Sequence, residues 1–184
     1  MARRIRTRQP IGLGTSVTEA LYGRPPYAKI FVSSQMRGDP LKVERDAVIS
    51  EIDRWSPLTK AWAWETSAAA GPYSSEAECV GQASTSDGLM LILADKLTPI
   101  TRKEFEAAKG AGAACFILLK DGATRDGATD TFVEAERFGA ITVSFANETE
   151  LRSHVSSSIA QYAVRSIRHA NRRRARKLRK RGAT

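Results

Sequence analysis

Two carboxylates, Glu65 and Glu104, each lie close behind a short apolar run of the sequence. A carboxylate beside an electron-poor carbon can stabilise positive charge that develops there, or attack the carbon to form a covalent intermediate. Glu104 could act in this way if it faces a crevice; the alternative is an exposed acid in the first turn of a helix, where the helix dipole favours negative charge. Glu65 could orient a ribose hydroxyl or serve as a second carboxylate, and its alternative is a surface acid at the end of a strand.

A second group of side chains could bind a phosphate and a planar ring. Ser33, Ser34 and Arg37 follow the first apolar run, where backbone N–H groups at a helix start can hold a phosphate and an arginine can add charge. Ordinary turn chemistry is the alternative for this loop. Trp64 could stack on a base, although packing in the core is the more usual role of a tryptophan. All four are candidate substrate-binding residues, and the two glutamates are candidate catalytic residues.

A parallel sheet is the element that must bring these residues together. Five short apolar runs predict strands at residues 29–33, 62–64, 89–94, 115–119 and 141–145. Strands that alternate with helices pair in parallel, with helices on both faces, and ligands bind beyond the carboxyl ends where the strand order reverses. The sequence therefore predicts one α/β domain, a doubly wound five-stranded parallel sheet of flavodoxin-like or TIR-like type. Ser33, Glu65 and Glu104 should converge at its carboxyl edge.

Residues that can cap a helix, together with apolar spacing, set the expected helices. A hydroxyl, acid or amide side chain stands at the start of most of them, and a proline follows the first cap, Asp39. The predicted helices span residues 39–55, 74–85, 101–110 and 131–138, and a last helix begins at Asn147. Trp62 and Trp64 are expected to alternate on the second strand, with one of them in the core.

Charge divides the 184 residues into parts with different character. Residues 1–27 carry five bases and one acid and are interpreted as an arm. Residues 28–164 carry 14 bases and 19 acids, whereas residues 165–184 carry ten bases and no acid. We assign residues 28–146 to the α/β domain and residues 147–184 to a C-terminal helix with a basic tail. The overall basicity of the chain thus belongs to its ends.

Several classes of protein do not fit this composition. No apolar run approaches the roughly 20 residues that span a bilayer, and the basic start is not followed by the apolar segment of a secretory signal. We therefore expect a cytoplasmic protein without a membrane partner, in which Cys79 and Cys115 are reduced core residues. His154 and His169 are isolated from each other and from C-x-x-C motifs, so no metal site is expected.

The basic tail has three interpretations. It could bind nucleic acid through phosphates, dock on an acidic protein surface or a neighbouring copy of the chain, or remain solvated. Low-complexity basic sequence forms either a charged helical extension or a disordered tail, and mutual repulsion favours an irregular tail in the absence of a polyanion. The candidate nucleic-acid-binding residues are Arg172, Arg173, Arg174, Arg176, Lys177, Arg179, Lys180 and Arg181.

Short motifs in residues 28–120 resemble those of the TIR-like, nucleoside 2-deoxyribosyltransferase-like domains found in prokaryotic defence and signalling proteins. The resemblance rests on the order and spacing of these motifs, each of which is short. In chain order they are Lys29-Ile30-Phe31-Val32-Ser33-Ser34, the charged helix with Glu44 and Arg45, Trp64-Glu65, Ser75-x-x-Glu78-Cys79, Ser86-Asp87, and Thr101-x-x-Glu104-Phe105-Glu106-x-Ala108.

This resemblance implies cleavage of the N-glycosidic bond of NAD or of a nucleoside or nucleotide, with a role in a defence assembly. The key glutamate of such domains stands at the start of the helix after strand three, where Glu104 fits best. It implies no cofactor, since NAD would be a substrate, and it allows a homo-oligomer. The alternative is a non-catalytic TIR-like module that binds a nucleotide and docks on nucleic acid or protein through the basic tail.

Overall fold

A computed structural model describes residues 26–68 and 71–181, apart from the side chains of residues 169, 170 and 173–181. Strands and helices alternate along this part of the chain, except that two helices follow the second strand. The strands are β1 Ala28–Ser34, β2 Thr59–Trp62, β3 Gly88–Leu93, β4 Ala114–Lys120 and β5 Ile141–Phe145. The helices are α1 Lys42–Asp53, α2 Trp64–Ser67, α3 Ser75–Ser84, α4 Pro99–Gly110, α5 Gly127–Glu136 and α6 Glu148–Arg181.

The five strands form one sheet in the order β2-β1-β3-β4-β5, and every neighbouring pair is parallel. This is the flavodoxin-like order of a doubly wound sheet, which reverses direction between β1 and β3. The predicted fold class is therefore confirmed. The reversal leaves a crevice at the carboxyl ends of β1 and β3, because the connections from these two strands leave toward opposite faces of the sheet.

Helices cover both faces of the sheet, and the alternation of side chains on each strand divides the core in two. On β3, Met90 and Ile92 face α1 and α6, whereas Leu89 and Leu91 face α3, α4 and α5. All six residues of β3 are buried, as expected for a continuous apolar run at the centre of a parallel sheet. Full burial of each such side chain contributes about 1.5–3 kcal/mol relative to exposure.

The start of α1 and the end of β2 differ from the sequence prediction. Asp39 has a φ of 48° and does not cap a helix; α1 begins at Lys42 without a side-chain cap. Strand β2 ends at Trp62, whose ring stacks on Phe31 with centroids 4.9 Å apart, and Trp64 instead opens the short helix α2. The two tryptophans therefore do not alternate on one strand, and only Trp62 belongs to the core.

Two further helices begin earlier than their patterns suggest. Thr98, not Thr101, caps α4, so that Pro99 occupies the first helical position. Asp126 caps α5, which starts four residues before the predicted position. Ser74 caps α3 by accepting from the Ala77 N–H, and Asn147 accepts from the Glu150 N–H at the start of α6, as expected.

The last helix, α6, is continuous to Arg181, so the basic tail is helical here rather than irregular. Its arginines, lysines, alanines and leucine are strong helix formers, which offsets part of the repulsion. Leu151, Val155 and Ile159 place the first half of α6 in the core, and the Tyr162 hydroxyl lies 3.4 Å from the Asp87 carbonyl, just before β3 begins. The helix therefore runs from the carboxyl edge to the amino edge of the sheet. No helix in the described part of the chain is long and apolar enough to cross a membrane.

Candidate functional site

A pocket of about 210 Å³ lies at the carboxyl edge of the sheet, where the strand order reverses. Its walls come from the end of β1 and the loop behind it, from α2, and from the first turns of α3 and α4. The lining residues are Phe31, Val32, Ser33, Ser34, Met36, Trp64, Glu65, Ser75, Glu76, Cys79, Thr98, Ile100, Thr101 and Glu104. Five of the six candidate residues from the sequence thus meet in one cavity, and their roles there remain predictions.

Glu104 lies in this pocket with only 7% of its surface exposed. The Ser33 hydroxyl donates a hydrogen bond of 2.5 Å to Glu104 Oε2. Burial raises the pKa of Glu104 from 4.5 to about 7, and hydrogen bonds from Ser33 and the Cys79 thiol oppose this rise. Near neutral pH the site therefore holds a carboxyl group that exists in both the protonated and the ionised form.

The start of α4 explains why Glu104 is buried. With Thr98 as cap, Glu104 falls in the second turn of the helix, not in the exposed first turn. It shares the inward face with Thr101, Phe105 and Ala108, which follow the i, i+3, i+4 spacing of one helix face. Glu106, two residues further along, is exposed to solvent.

Cys79 is a free thiol that belongs to the core, as the sequence predicts. It is buried on α3 but lines the pocket. Burial raises the pKa of the Cys79 thiol to about 12, and the negative charge of Glu104 acts in the same direction. The thiol therefore keeps its proton and can donate it to the Glu104 carboxylate.

Among the described residues, no group of His, Cys, Asp or Glu has the arrangement of a metal site.

Glu65 and Ser34 are held by Arg45, a residue to which sequence reasoning gave no role. The Arg45 side chain is 2% exposed and forms an ion pair with Glu65. It also donates hydrogen bonds to Ser34 Oγ at 2.9 Å and to Asp39 Oδ1 at 2.5 Å. The sequence does contain a signal that Arg45 is buried. Arg45 lies on the apolar face of α1, in register with Leu41, Val48 and Ile52.

Apolar side chains surround the entrance of the pocket. Trp64, Met36 and Ile100 all line it while 36%, 40% and 43% exposed, respectively. A planar ring could therefore stack on Trp64 at the entrance, which is the role that the sequence suggests for this residue. Arg37, in contrast, is exposed and does not line the pocket, because the loop turns back through Gly38 and Asp39 at positive φ. The role of Arg37 in binding substrate stays a prediction.

The candidate nucleic-acid-binding residues all lie in the last part of α6. Arg172 is exposed. The side chains of Arg173, Arg174, Arg176, Lys177, Arg179, Lys180 and Arg181 fall outside the described part of the structure.

Comparison with known proteins supports the fold assignment. The chain matches no family model, and no curated protein resembles it significantly. Among solved structures it is similar to a CMP N-glycosidase from Clostridium botulinum, with a TM-score of 0.52 and 11% identity over 71% of this chain and 98% of the other. It is also similar to a flavodoxin-like domain from Synechococcus, with a TM-score of 0.47 and 9% identity over 74% and 99% of the two chains. At 11% identity the similarity to the N-glycosidase structure supports the fold alone.

Proposed function

We propose that this protein is an N-glycosidase, which hydrolyses the bond between ribosyl C1′ and the base nitrogen of a nucleoside, a nucleotide or NAD. The observation that carries the proposal is Glu104: a carboxyl group buried in a pocket at the reversal point of the sheet, with a hydrogen bond from the Ser33 hydroxyl. The CMP N-glycosidase with a similar fold adds support, because its reaction belongs to the same class.

The reaction needs a carboxylate beside the anomeric carbon. When the C1′–N bond breaks, the base leaves with the bonding electron pair and positive charge develops on the sugar. The ionised Glu104 can stabilise this charge or form an ester with C1′. Water then supplies a hydroxyl group to C1′ and a proton to the base, which restores the carboxylate. The Ser33 hydroxyl, 2.5 Å from Oε2, holds the carboxylate in one orientation throughout.

Other residues of the pocket fit the remaining parts of such a substrate. Trp64, with Met36 and Ile100, offers an apolar surface to the base. Ser34 and Glu65 offer polar groups to the sugar. The reaction requires no cofactor in this scheme, and NAD enters only as a substrate. A role in a defence assembly rests on the motif resemblance of residues 28–120.

For the basic end of α6 we propose a separate role in anchoring. Ten bases without an acid in residues 165–184 favour a polyanion, and phosphate contacts would give binding that is indifferent to sequence. An acidic protein surface, including that of a second copy in a homo-oligomer, is the other partner that this charge fits. The alternative to catalysis is a non-catalytic module in which the pocket only binds a nucleotide and this helix carries the function.

One experiment separates catalysis from binding alone. Purified protein is incubated with NAD, nucleosides and nucleotides, with and without nucleic acid, and the products are resolved by chromatography. We expect release of a free base together with the ribosyl product from at least one substrate. Binding of a nucleotide without release of base under every condition would favour the non-catalytic module instead.

A further inference from the structure

A buried arginine connects three segments at one side of the pocket. Arg45 contacts Ser34 at the end of β1, Asp39 in the loop before α1, and Glu65 in α2. With 2% of its surface exposed, its guanidinium has little access to water and depends on these partners. A buried charge of this kind is stable only when its hydrogen bonds and ion pairs are satisfied.

Two of the three partners line the pocket, whereas Arg45 itself does not. Glu65 keeps 35% of its side chain exposed although its Oε1 contacts Arg45. An ionised carboxylate has about four acceptor positions and no donor, so Glu65 can still accept hydrogen bonds from a ligand. Ser34 accepts from Arg45, which leaves its own hydroxyl proton for a ligand oxygen.

Hydroxyl groups are the ligand groups that suit this pair. Each sugar hydroxyl is both a donor and an acceptor, so it can donate to Glu65 and accept from Ser34. Lysine could not replace Arg45 here, because a planar guanidinium donates in several fixed directions at once and an ammonium does not. The two terminal nitrogens of Arg45 donate to Ser34 and Asp39, and its Nε lies against Glu65 Oε1 in an ion pair.

We propose that Arg45 is a positioning residue that fixes Glu65 and Ser34 as the binding site for the hydroxyl groups of a ribosyl substrate. Glu104 then meets the anomeric carbon of the same sugar, which is the point where this inference rests on the proposed function. Glu65 is accordingly a sugar-binding residue and not a second catalytic carboxylate.

The test measures binding, so it does not depend on turnover. Dissociation constants are determined by calorimetry for adenosine and cytidine and for their 2′,3′-dideoxy counterparts, in the full-length Glu104→Gln protein with and without Arg45→Met. We expect Arg45→Met to weaken binding of the ribonucleosides by about tenfold or more, the usual effect of losing hydrogen bonds to a charged group. Binding of the dideoxynucleosides, which lack the hydroxyl groups, should change less than about twofold.

Three further variants test whether the effect is merely structural. Glu65→Gln, at the surface of the pocket, should reproduce the hydroxyl-dependent loss even if Arg45→Met fails to fold. Arg54→Met removes an exposed arginine that follows α1 and pairs with Glu51, and it should leave all the dissociation constants unchanged. Arg45→Lys should give an intermediate loss, again only for the ribonucleosides.

The proposal would be overturned if Arg45→Met and Glu65→Gln weakened the binding of ribo- and dideoxynucleosides equally. It would also be overturned if these two variants left binding unchanged, or if no nucleoside bound to the protein. A wild-type protein that binds ribonucleosides through their hydroxyl groups but releases no base would overturn the proposed hydrolysis alone. The two failures are therefore distinguishable.

Discussion

The pocket and the distal end of α6, residues 165–181, both concentrate charge, but they do so in opposite ways. Beside the pocket, Arg45 is buried against Glu65 and Asp39, and within it Glu104 is buried against Ser33. The distal end of α6 contains ten bases and no acid. The side chains described there are exposed; they belong to residues 165–168, 171 and 172.

This difference fits the two kinds of recognition that we propose. Desolvated groups in fixed positions interact strongly and favour one orientation of a small ligand. Exposed like charges create a field that attracts a polyanion in many orientations and weakens with salt. We therefore expect the proposed cleavage to depend on individual atoms of the pocket. The proposed anchoring should depend on how many charges the distal end of α6 carries. The predictions below test whether the two can be separated.

The largest expected effect is that of Glu104→Gln on catalysis. The change keeps the size of the side chain and removes its charge, so cleavage should fall by at least roughly a thousandfold. Base release is measured by chromatography, and binding to nucleic acid is measured in parallel and should not change.

Glu106→Gln is the matched control, because Glu106 lies on the same helix but faces solvent. Activity that survives in Glu104→Gln, or that Glu106→Gln lowers equally, would show that Glu104 is not the catalytic carboxylate.

Removal of residues 171–184 should have the next largest effect, and on anchoring only. It deletes eight of the ten bases, whereas Leu151, Val155 and Ile159 still hold α6 in the core. If the full chain contacts about six phosphates, its log–log salt slope on duplex DNA is roughly −5, and the truncated chain should bind weakly at ~0.15 M salt. Fluorescence anisotropy at several salt concentrations measures the affinity for duplex DNA and the salt slope.

A truncated protein with the affinity and salt slope of the full chain would exclude the distal end as the anchor. Absence of salt-sensitive binding in the full chain would favour an acidic protein as the partner. In either case we expect the rate of base release to be retained.

The third effect is on the pH dependence of cleavage. The pKa of Glu104 is about 7, and the reaction needs the ionised form. Below pH 7 the value of kcat/KM should fall about tenfold per pH unit, and above pH 7 it should level off. An activity that is independent of pH between 5 and 8 would contradict this role for Glu104.

Stability should change with pH in the opposite direction. Because the pKa of Glu104 is raised from 4.5 to about 7, the folded protein holds a proton that the unfolded chain releases. This stabilisation is complete below about pH 4.5 and is lost as the pH rises through 7, by roughly 3 kcal/mol in total. Urea unfolding at pH 5 and pH 8 measures the loss, which should be absent in Glu104→Gln.

The smallest expected effect is that of Ser33→Ala. The Ser33 hydroxyl bonds to Glu104 and lowers its pKa, so its removal should move the midpoint of the pH profile upward. A hydrogen bond with a net value of about 1 kcal/mol corresponds to somewhat less than one pH unit. A midpoint that stays in place would show that Ser33 does not act on the ionisation of Glu104.

The strands of the sheet are the elements that the sequence predicts most accurately. Strand β5 was predicted at residues 141–145, the range that it occupies, and β3 differs by one residue at each end. Buried strands of a parallel sheet are short runs of apolar residues, so their signal is local. The prediction of β2 was less accurate, because Trp62-Ala63-Trp64 shows the alternation of a strand although the strand ends at Trp62.

The site was predictable in its location but not in its contacts. The carboxyl edge follows from topology, and topology brings Ser33, Glu65 and Glu104 together. The environment of Glu104, however, depends on Ser33, which lies 71 positions earlier in the chain, and on the shift of the α4 cap from Thr101 to Thr98. Asp39 matches the pattern of a helix cap, yet its carboxylate pairs with Arg45 instead. Long-range pairing of this kind leaves no periodic signal.

The direction of α6 separates the pocket from the basic residues in space. The helix has 34 residues, which corresponds to a length of about 51 Å, and at Tyr162 it has already reached the amino edge of the sheet. Its distal end therefore extends beyond the edge opposite the pocket. A molecule tethered through this end would present its pocket outward, open to diffusing substrate. Tethering could then raise the local concentration of the protein on a scaffold without altering the pocket of a single copy, and the two regions could evolve independently.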